Sequence, residues 1–119
     1  MSYDIGLYDK QFLKKAIAED LGDMTIAPQF SAAQLAAIKE RVVAWGYSVE
    51  SDGAGCTEFI HPTESWGLQV SVFKTEVSFS VPYWKDAQAA IAQAKSDARR
   101  LAQEFDLGLT DPQDGETIC

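Results

Sequence analysis

The chain has 119 residues, enough for one domain with a single core, and 46% of them are apolar. Its 18 Asp and Glu residues outnumber 10 Lys and Arg residues, which gives a formal net charge of -8. This balance argues against binding to nucleic acid or to an anionic membrane surface, because both need clustered cations. Cationic partners, such as a basic protein or a metal ion, remain open.

The first part of the chain predicts a strand followed by two helices. Residues 3–8 alternate in polarity as a strand does, and a helix is expected over Lys10–Leu21, ended by Gly22. Ser31 and Gln34 have the spacing of a helix N-cap. Steps of three and four residues then predict a buried helix face, formed by Leu35, Ile38, Val42 and Trp45.

The middle of the chain predicts four strands in series. Tyr47–Glu50 and Cys56–His61 flank a turn at residues 52–55. Residues 68–82 give the strongest strand signal, with apolar side chains at alternate positions on both sides of a two-residue turn at 74–75. This register puts six apolar side chains on one face, with 72 opposite 77, 70 opposite 79 and 68 opposite 81.

The last part predicts the longest helix, over Trp84–Phe105, then a short strand at 107–110 and a polar tail at 111–119. The predicted order is β-α-α-β-β-β-β-α-β in a single domain covering residues 1–119. Four strands joined by short loops predict an antiparallel meander. Helices packed on one face of this meander give an α+β fold.

The sequence shows no export or membrane signal. Residues 1–5 carry no basic region followed by an apolar run, and no stretch approaches the ~18 apolar residues of a membrane span. A cytoplasmic protein is therefore expected. Two cysteines, Cys56 and Cys119, do not make a disulfide framework, and cytosolic thiols are usually reduced.

No motif predicts catalysis or a cofactor. His61 lies five residues after Cys56, so on one strand the two side chains point to opposite faces, which disfavours a Cys–His dyad. Gly53–Gly55 lacks the third glycine and the lysine of a phosphate loop and favours a hairpin turn. Residues 111–116 fall short of a twelve-residue calcium loop, and no zinc cluster is present. We expect no enzyme activity, cofactor or metal; an unrecognised carboxylate pair is the enzymatic alternative.

The acidic residues are unevenly placed. No Lys or Arg occurs between Glu50 and Phe73 or from Gln103 onward, and nine of the ten basic residues fall in the predicted helices. Trp66 lies in the first acid-only segment, and an aromatic side chain beside carboxylates is typical of an interface that receives Arg or Lys. The residues expected to bind a partner are Glu50, Asp52, Glu58, Glu64, Trp66, Asp106, Asp111, Asp114 and Glu116.

The two ends of the chain, Met1–Asp9 (MSYDIGLYD) and Leu107–Gln113 (LGLTDPQ), resemble small bacterial toxin-immunity proteins. The resemblance implies that the chain neutralises one cognate secreted toxin that acts in the cytosol, by binding it and occluding its active site. An acidic surface would be steered toward the basic cleft of a toxin that attacks nucleotides or nucleic acids. The alternative is a small-molecule-binding or regulatory module with a pocket between sheet and helices.

Overall fold

The computed structural model describes residues 2–19, 27–82 and 87–118, with the side chain of Glu64 outside this description. The described helices are α1 (Lys10–Ala18), α2 (Ala32–Ala44) and α3 (Gln88–Phe105). The described strands are β1 (Ser2–Asp9), β2 (Ser48–Asp52), β3 (Cys56–Ile60), β4 (Gln69–Phe73), β5 (Val77–Pro82), β6 (Leu107–Asp111) and β7 (Glu116–Ile118). A single 3₁₀ turn, Glu64–Trp66, lies between β3 and β4.

This order confirms the predicted α+β class and the predicted succession of elements. The expected polar tail contains one further strand, β7, which pairs with β6. Ser31 caps α2 as predicted, because its hydroxyl accepts a hydrogen bond from the Gln34 backbone N–H at 3.1 Å. The predicted first-helix end at Leu21 and Gly22, the third-helix start at Trp84, and Cys119 lie outside the described residues.

All seven strands form one antiparallel sheet in the order β2-β3-β4-β5-β1-β6-β7. β2 to β5 form the predicted meander, and the predicted hairpin register is confirmed where Val72 pairs with Val77 and Val70 with Phe79. The two-residue turn closes with a hydrogen bond from the backbone N–H of residue 73 to the carbonyl of residue 76, at 2.8 Å. β1 lies between β5 and β6, so the first strand of the chain is interior to the sheet.

The core lies on one face of the sheet, here called the inner face. Because side chains alternate across a strand, Ile5, Leu7 and Phe79 share this face, and each is at most 1% exposed. α2 and α3 cover it, and their buried side chains join the same apolar cluster. α3 contacts the sheet through small side chains spaced by four residues, which lets its backbone lie close: Ala90, Ala94, Ala98 and Ala102.

α1 packs on the opposite, outer face of the sheet, whereas α2 and α3 share the inner face. Gly108 pairs with Tyr8 on the outer face, and a Cβ atom at Gly108 would lie 2.7 Å from Cδ2 of Leu13 in α1. Likewise, a Cβ at Gly6 would lie 2.9 Å from the Tyr8 ring. Two glycines therefore make room for α1 and for a tyrosine ring over the middle of the sheet.

Candidate protein-binding surface

The predicted partner-binding residues separate into two groups in the structure. One group lies on β2 and β3, at one edge of the sheet, and consists of Glu50, Asp52 and Glu58. The other follows α3 at the other end of the strand order and consists of Asp106, Asp111, Asp114 and Glu116. The sheet order places these groups on opposite sides of the protein, so they do not form one continuous surface.

Three acids of the second group are bonded to cations of the helices. The pairs are Lys10–Asp106 at 2.9 Å, Lys95–Asp114 at 2.9 Å and Arg99–Glu116, whose shortest contact is 2.5 Å. Hydrogen bonds to Asp114 and Tyr3 raise the pKa of Lys95, and the pair with Glu116 raises that of Arg99. Asp114 and Glu116 thus connect the β6–β7 hairpin to α3, and Asp106 connects the end of α3 to the start of α1, which is a structural use of their charge.

Asp111 is only 2% exposed, although it belongs to the predicted binding set. Its carboxylate accepts a hydrogen bond from the Tyr3 hydroxyl at 2.6 Å and another from the backbone N–H of Asp114 at 3.2 Å. A buried carboxylate with these partners has no surface left for a second protein. We therefore place Asp111 among the structural residues, which corrects the expectation that it contacts a partner.

Trp66 is partly buried and packs against the core. Its ring stacks on the His61 ring, with 4.8 Å between centroids, and His61 meets the Tyr47 ring edge-on at 5.1 Å. The His61 Nδ1 accepts a hydrogen bond from the backbone N–H of Thr63 at 3.0 Å. Trp66 thus belongs to an aromatic cluster that closes one end of the core, and the predicted role of its neighbour Glu64 lies outside the described side chains.

A buried carboxylate that sequence reasoning missed, Asp97, lies on the inner side of α3. It accepts hydrogen bonds from the Tyr47 hydroxyl at 2.8 Å and the Gln93 amide at 3.0 Å, and Arg100 lies 3.7 Å away. Burial and the bond to Asp97 raise the pKa of Tyr47 well above its usual range. The helical period provided a signal, because position 97 falls between Ala94 and Leu101 on the apolar face.

The β2 edge is the most exposed part of the sheet. Among the described strands β2 pairs with β3 alone, and all five of its residues are exposed. It begins after Gly46, whose φ of 101° reverses the chain at the end of α2. Two apolar side chains remain largely in solvent here: Val43 on α2 is 50% exposed and Val49 on β2 is 55% exposed.

The carboxylates of this edge lie on both sides of β2. Asp52 accepts a hydrogen bond from the Thr57 hydroxyl at 2.8 Å on the inner side, whereas Glu50 accepts one from the Gln69 amide across the outer face. Glu58 pairs with Ser71 on the outer face. Within the described chain no ion pair joins these three carboxylates to Lys or Arg. Their negative charge is therefore available to attract a cationic partner.

A groove of about 410 Å³ runs between α2 and β2 on the inner side of this edge. Val43 and Val49 line it together with Asp52, and Lys39 is its one cation. We call Val43, Val49, Glu50, Asp52 and Glu58 the β2 edge surface. It combines apolar area, carboxylates and the open edge of a strand, which are components of a protein-binding site.

The chemistry available near this edge is limited. Burial, together with the charge of Glu58, raises the pKa of Cys56, which disfavours the reactive thiolate. Among the residues that the structure describes, no group of three or more His, Cys, Asp or Glu side chains is placed to hold a metal ion. None of the described helices combines the length and apolar character needed to cross a membrane.

No protein-family model matches the chain, and no curated protein or solved structure matches it either.

Proposed function

We propose that the protein is a binding protein whose partner is a basic protein, and that it uses the β2 edge surface to hold this partner. The observation that carries the proposal is the division of the acids into two groups. Those after α3 are bonded within the chain, whereas Glu50, Asp52 and Glu58 have no ion pair within the described chain and lie beside the exposed Val43 and Val49.

The partner that we propose is a bacterial toxin acting in the cytosol, so that the chain serves as its immunity protein and blocks it by occlusion. The resemblance of the two chain ends supports this identity, and a net charge of -8 supports a basic target. Carboxylates steer a cationic cleft toward them over a Debye length of about 8 Å at physiological salt. Two exposed valines supply the apolar contact that charge alone does not give.

The first test is capture of partners from native lysate with this protein as bait, at low salt and at about 500 mM salt. The toxin is then identified as a basic protein encoded beside this gene. In cells that express it, we expect the wild-type chain to restore growth and the E50K/D52K variant to fail. Reversing two close charges is expected to weaken binding at least tenfold, since one such pair contributes about 1.5 kcal/mol or more.

The control is E19K/E104K, which reverses the same number of exposed acids outside the β2 edge surface. Glu104 is paired with Arg41, so this variant also loses one exposed ion pair, a small cost in stability that thermal unfolding measures. Both variants are first compared by circular dichroism and thermal unfolding, so that a loss of fold is separated from a loss of binding. Protection by E50K/D52K equal to that of the wild type, with both folded, contradicts the proposed surface. Failure of the wild type to bind or protect against the neighbouring toxin contradicts the immunity function.

A further inference from the structure

In the described sheet the two edge strands, β2 and β7, differ in what they offer to another chain. β7 is three residues long, and its Glu116 side chain is held by Arg99 through contacts of 2.5 and 2.6 Å. β2 is five residues long, fully exposed, and paired on one side only within the described chain. The open side of an edge strand of this length presents a row of backbone donors and acceptors that another strand can use.

We infer that the partner docks by adding an extended basic segment to β2 as an eighth, antiparallel strand. This inference rests on the proposed function and specifies how the partner is bound. The sheet is antiparallel throughout, so an antiparallel addition continues its existing pattern. Backbone hydrogen bonds would supply affinity, and the alternating side chains of β2 would supply selectivity.

The side chains of β2 define the sequence of the added strand. Val49 pairs with the buried Phe59 and therefore lies on the inner side, next to the groove and Val43. Glu50 lies on the outer side, and Asp52 returns to the inner side where it pairs with Thr57. The added strand should carry an apolar residue opposite Val49 and Lys or Arg opposite Glu50 and Asp52, because directly opposed side chains share a face.

The same edge disfavours a second copy of this chain. Antiparallel self-pairing of β2 would bring Glu50 and Asp52 of two copies together, and like charges on opposed strands are destabilising. A β-bulge between Val49 and Ser51 breaks the register of β2 with β3, which is a feature that natural edge strands use against unselective pairing. A basic strand would instead be attracted by Glu50 and Asp52, so the same carboxylates that disfavour self-pairing favour a basic partner.

The experiment uses isotope-labelled protein and synthetic peptides about seven residues long, matching the length of a short strand. The test peptide, called the lysine–valine peptide, carries valine at the position opposite Val49 and lysine at the positions opposite Glu50 and Asp52, with threonine elsewhere. The control, called the lysine–proline peptide, keeps the lysines and has proline in place of the valine and of alternate threonines, which keeps the charge but removes backbone donors that a sheet ladder needs. The readouts are amide chemical shifts, amide hydrogen exchange over residues 48–52, and the dissociation constant.

Strand addition predicts that the lysine–valine peptide slows amide exchange within β2 at least tenfold and that the lysine–proline peptide does not. The E50K/D52K variant should lose this protection, and E19K/E104K should keep it. Equal binding of both peptides, with β2 shifts but no protection, overturns strand addition and leaves the proposed function standing. Strand addition is also overturned if the peptide causes chemical-shift changes only away from β2 or does not bind. The same holds if amide protection of β2 grows with protein concentration in the absence of peptide, because self-association would then explain it.

Discussion

The hydroxyl of Tyr3 donates a hydrogen bond to the buried carboxylate of Asp111, with 2.6 Å between the two oxygens, although the residues lie 108 positions apart. The bond joins the first strand of the chain to β6. We expect Tyr3→Phe to lower the free energy of unfolding by about 1–3 kcal/mol, because it leaves a buried carboxylate short of a donor. Urea unfolding of the two proteins measures the difference.

A double-mutant cycle with Asp111→Ala separates this bond from the general cost of each change, because alanine offers no acceptor to the Tyr3 hydroxyl. If the bond stabilises the fold, the double variant is less destabilised than the sum of the single variants. Strictly additive losses would mean that the hydrogen bond contributes nothing of its own.

Gly108 is the position where α1 approaches the outer face most closely. In Gly108→Ala the new methyl group would lie 2.7 Å from Cδ2 of Leu13, well inside contact distance. Overpacking of this kind costs about 1–3 kcal/mol, and thermal unfolding should show the loss. Adding Leu13→Ala removes Cδ2, the closest atom, and leaves the Leu13 Cβ at 3.1 Å, so the double variant should be more stable than the two separate losses predict. A double variant whose loss of stability equals the sum of the two single losses would show that Leu13 does not contact residue 108, and hence that α1 does not pack there.

Stability should fall in alkaline solution because of three tyrosines. Burial is the main cause of a raised pKa in all three. It raises the pKa of Tyr3 and of Tyr47, and hydrogen bonds to Asp111 and to Asp97 add to these two shifts. Burial and the nearby Glu76 raise the pKa of Tyr8 to about 12. A raised pKa gives stability that is complete below the unfolded value of 10 and is lost as pH rises toward the folded value. Urea midpoints from pH 9 to 12 test this, and Tyr8→Phe should flatten the decline; an unchanged slope would contradict it.

His61 should make the opposite contribution at mildly acidic pH. Burial beside Trp66 and Tyr47 lowers its pKa below 6.5, although the charge of Asp97 opposes the shift. The folded protein therefore resists protonation, and the stability gained above pH 6.5 is lost as pH falls toward the lowered pKa. Urea midpoints between pH 7.5 and 5 should decline less in His61→Gln than in the wild type. Equal declines would show that other groups control this range.

The sequence contained enough information for the strand and helix order, since alternation in residues 68–82 and the apolar spacing of α2 are local signals. β7 was missed because Glu116–Ile118 is short and polar, and it becomes a strand only through pairing with β6. The position of α1 on the outer face was also missed, because an apolar helix face such as that of Leu13 can pack on either face of a sheet. The contact between Leu13 and Gly108, which lies on the outer face, distinguishes the two arrangements.

For the proposed surface, charge patterning identified both groups of acids but did not indicate that three of those after α3 form ion pairs within the chain. Asp114 and Glu116 are near in space to Lys95 and Arg99, which are 19 and 17 positions away, so their pairing depends on the tertiary fold. Val49 was expected in a strand, but its exposure follows from the position of β2 at the end of the strand order. A one-dimensional pattern carries no information about which strand of a meander is left at the edge.

The interior position of β1 has a consequence for how the protein is made. The first strand pairs with β5, as in Ser2 with Pro82, and with β6 near the other end of the chain. During synthesis β1 therefore has no partner strand until β5 begins at Val77, about 70 residues after its partner Leu7, and its apolar side chains are exposed in the meantime. Contacts this distant along the chain slow folding and expose such strands to aggregation. We expect the nascent chain to need protection on the ribosome until residues 107–111 emerge and complete the sheet around β1.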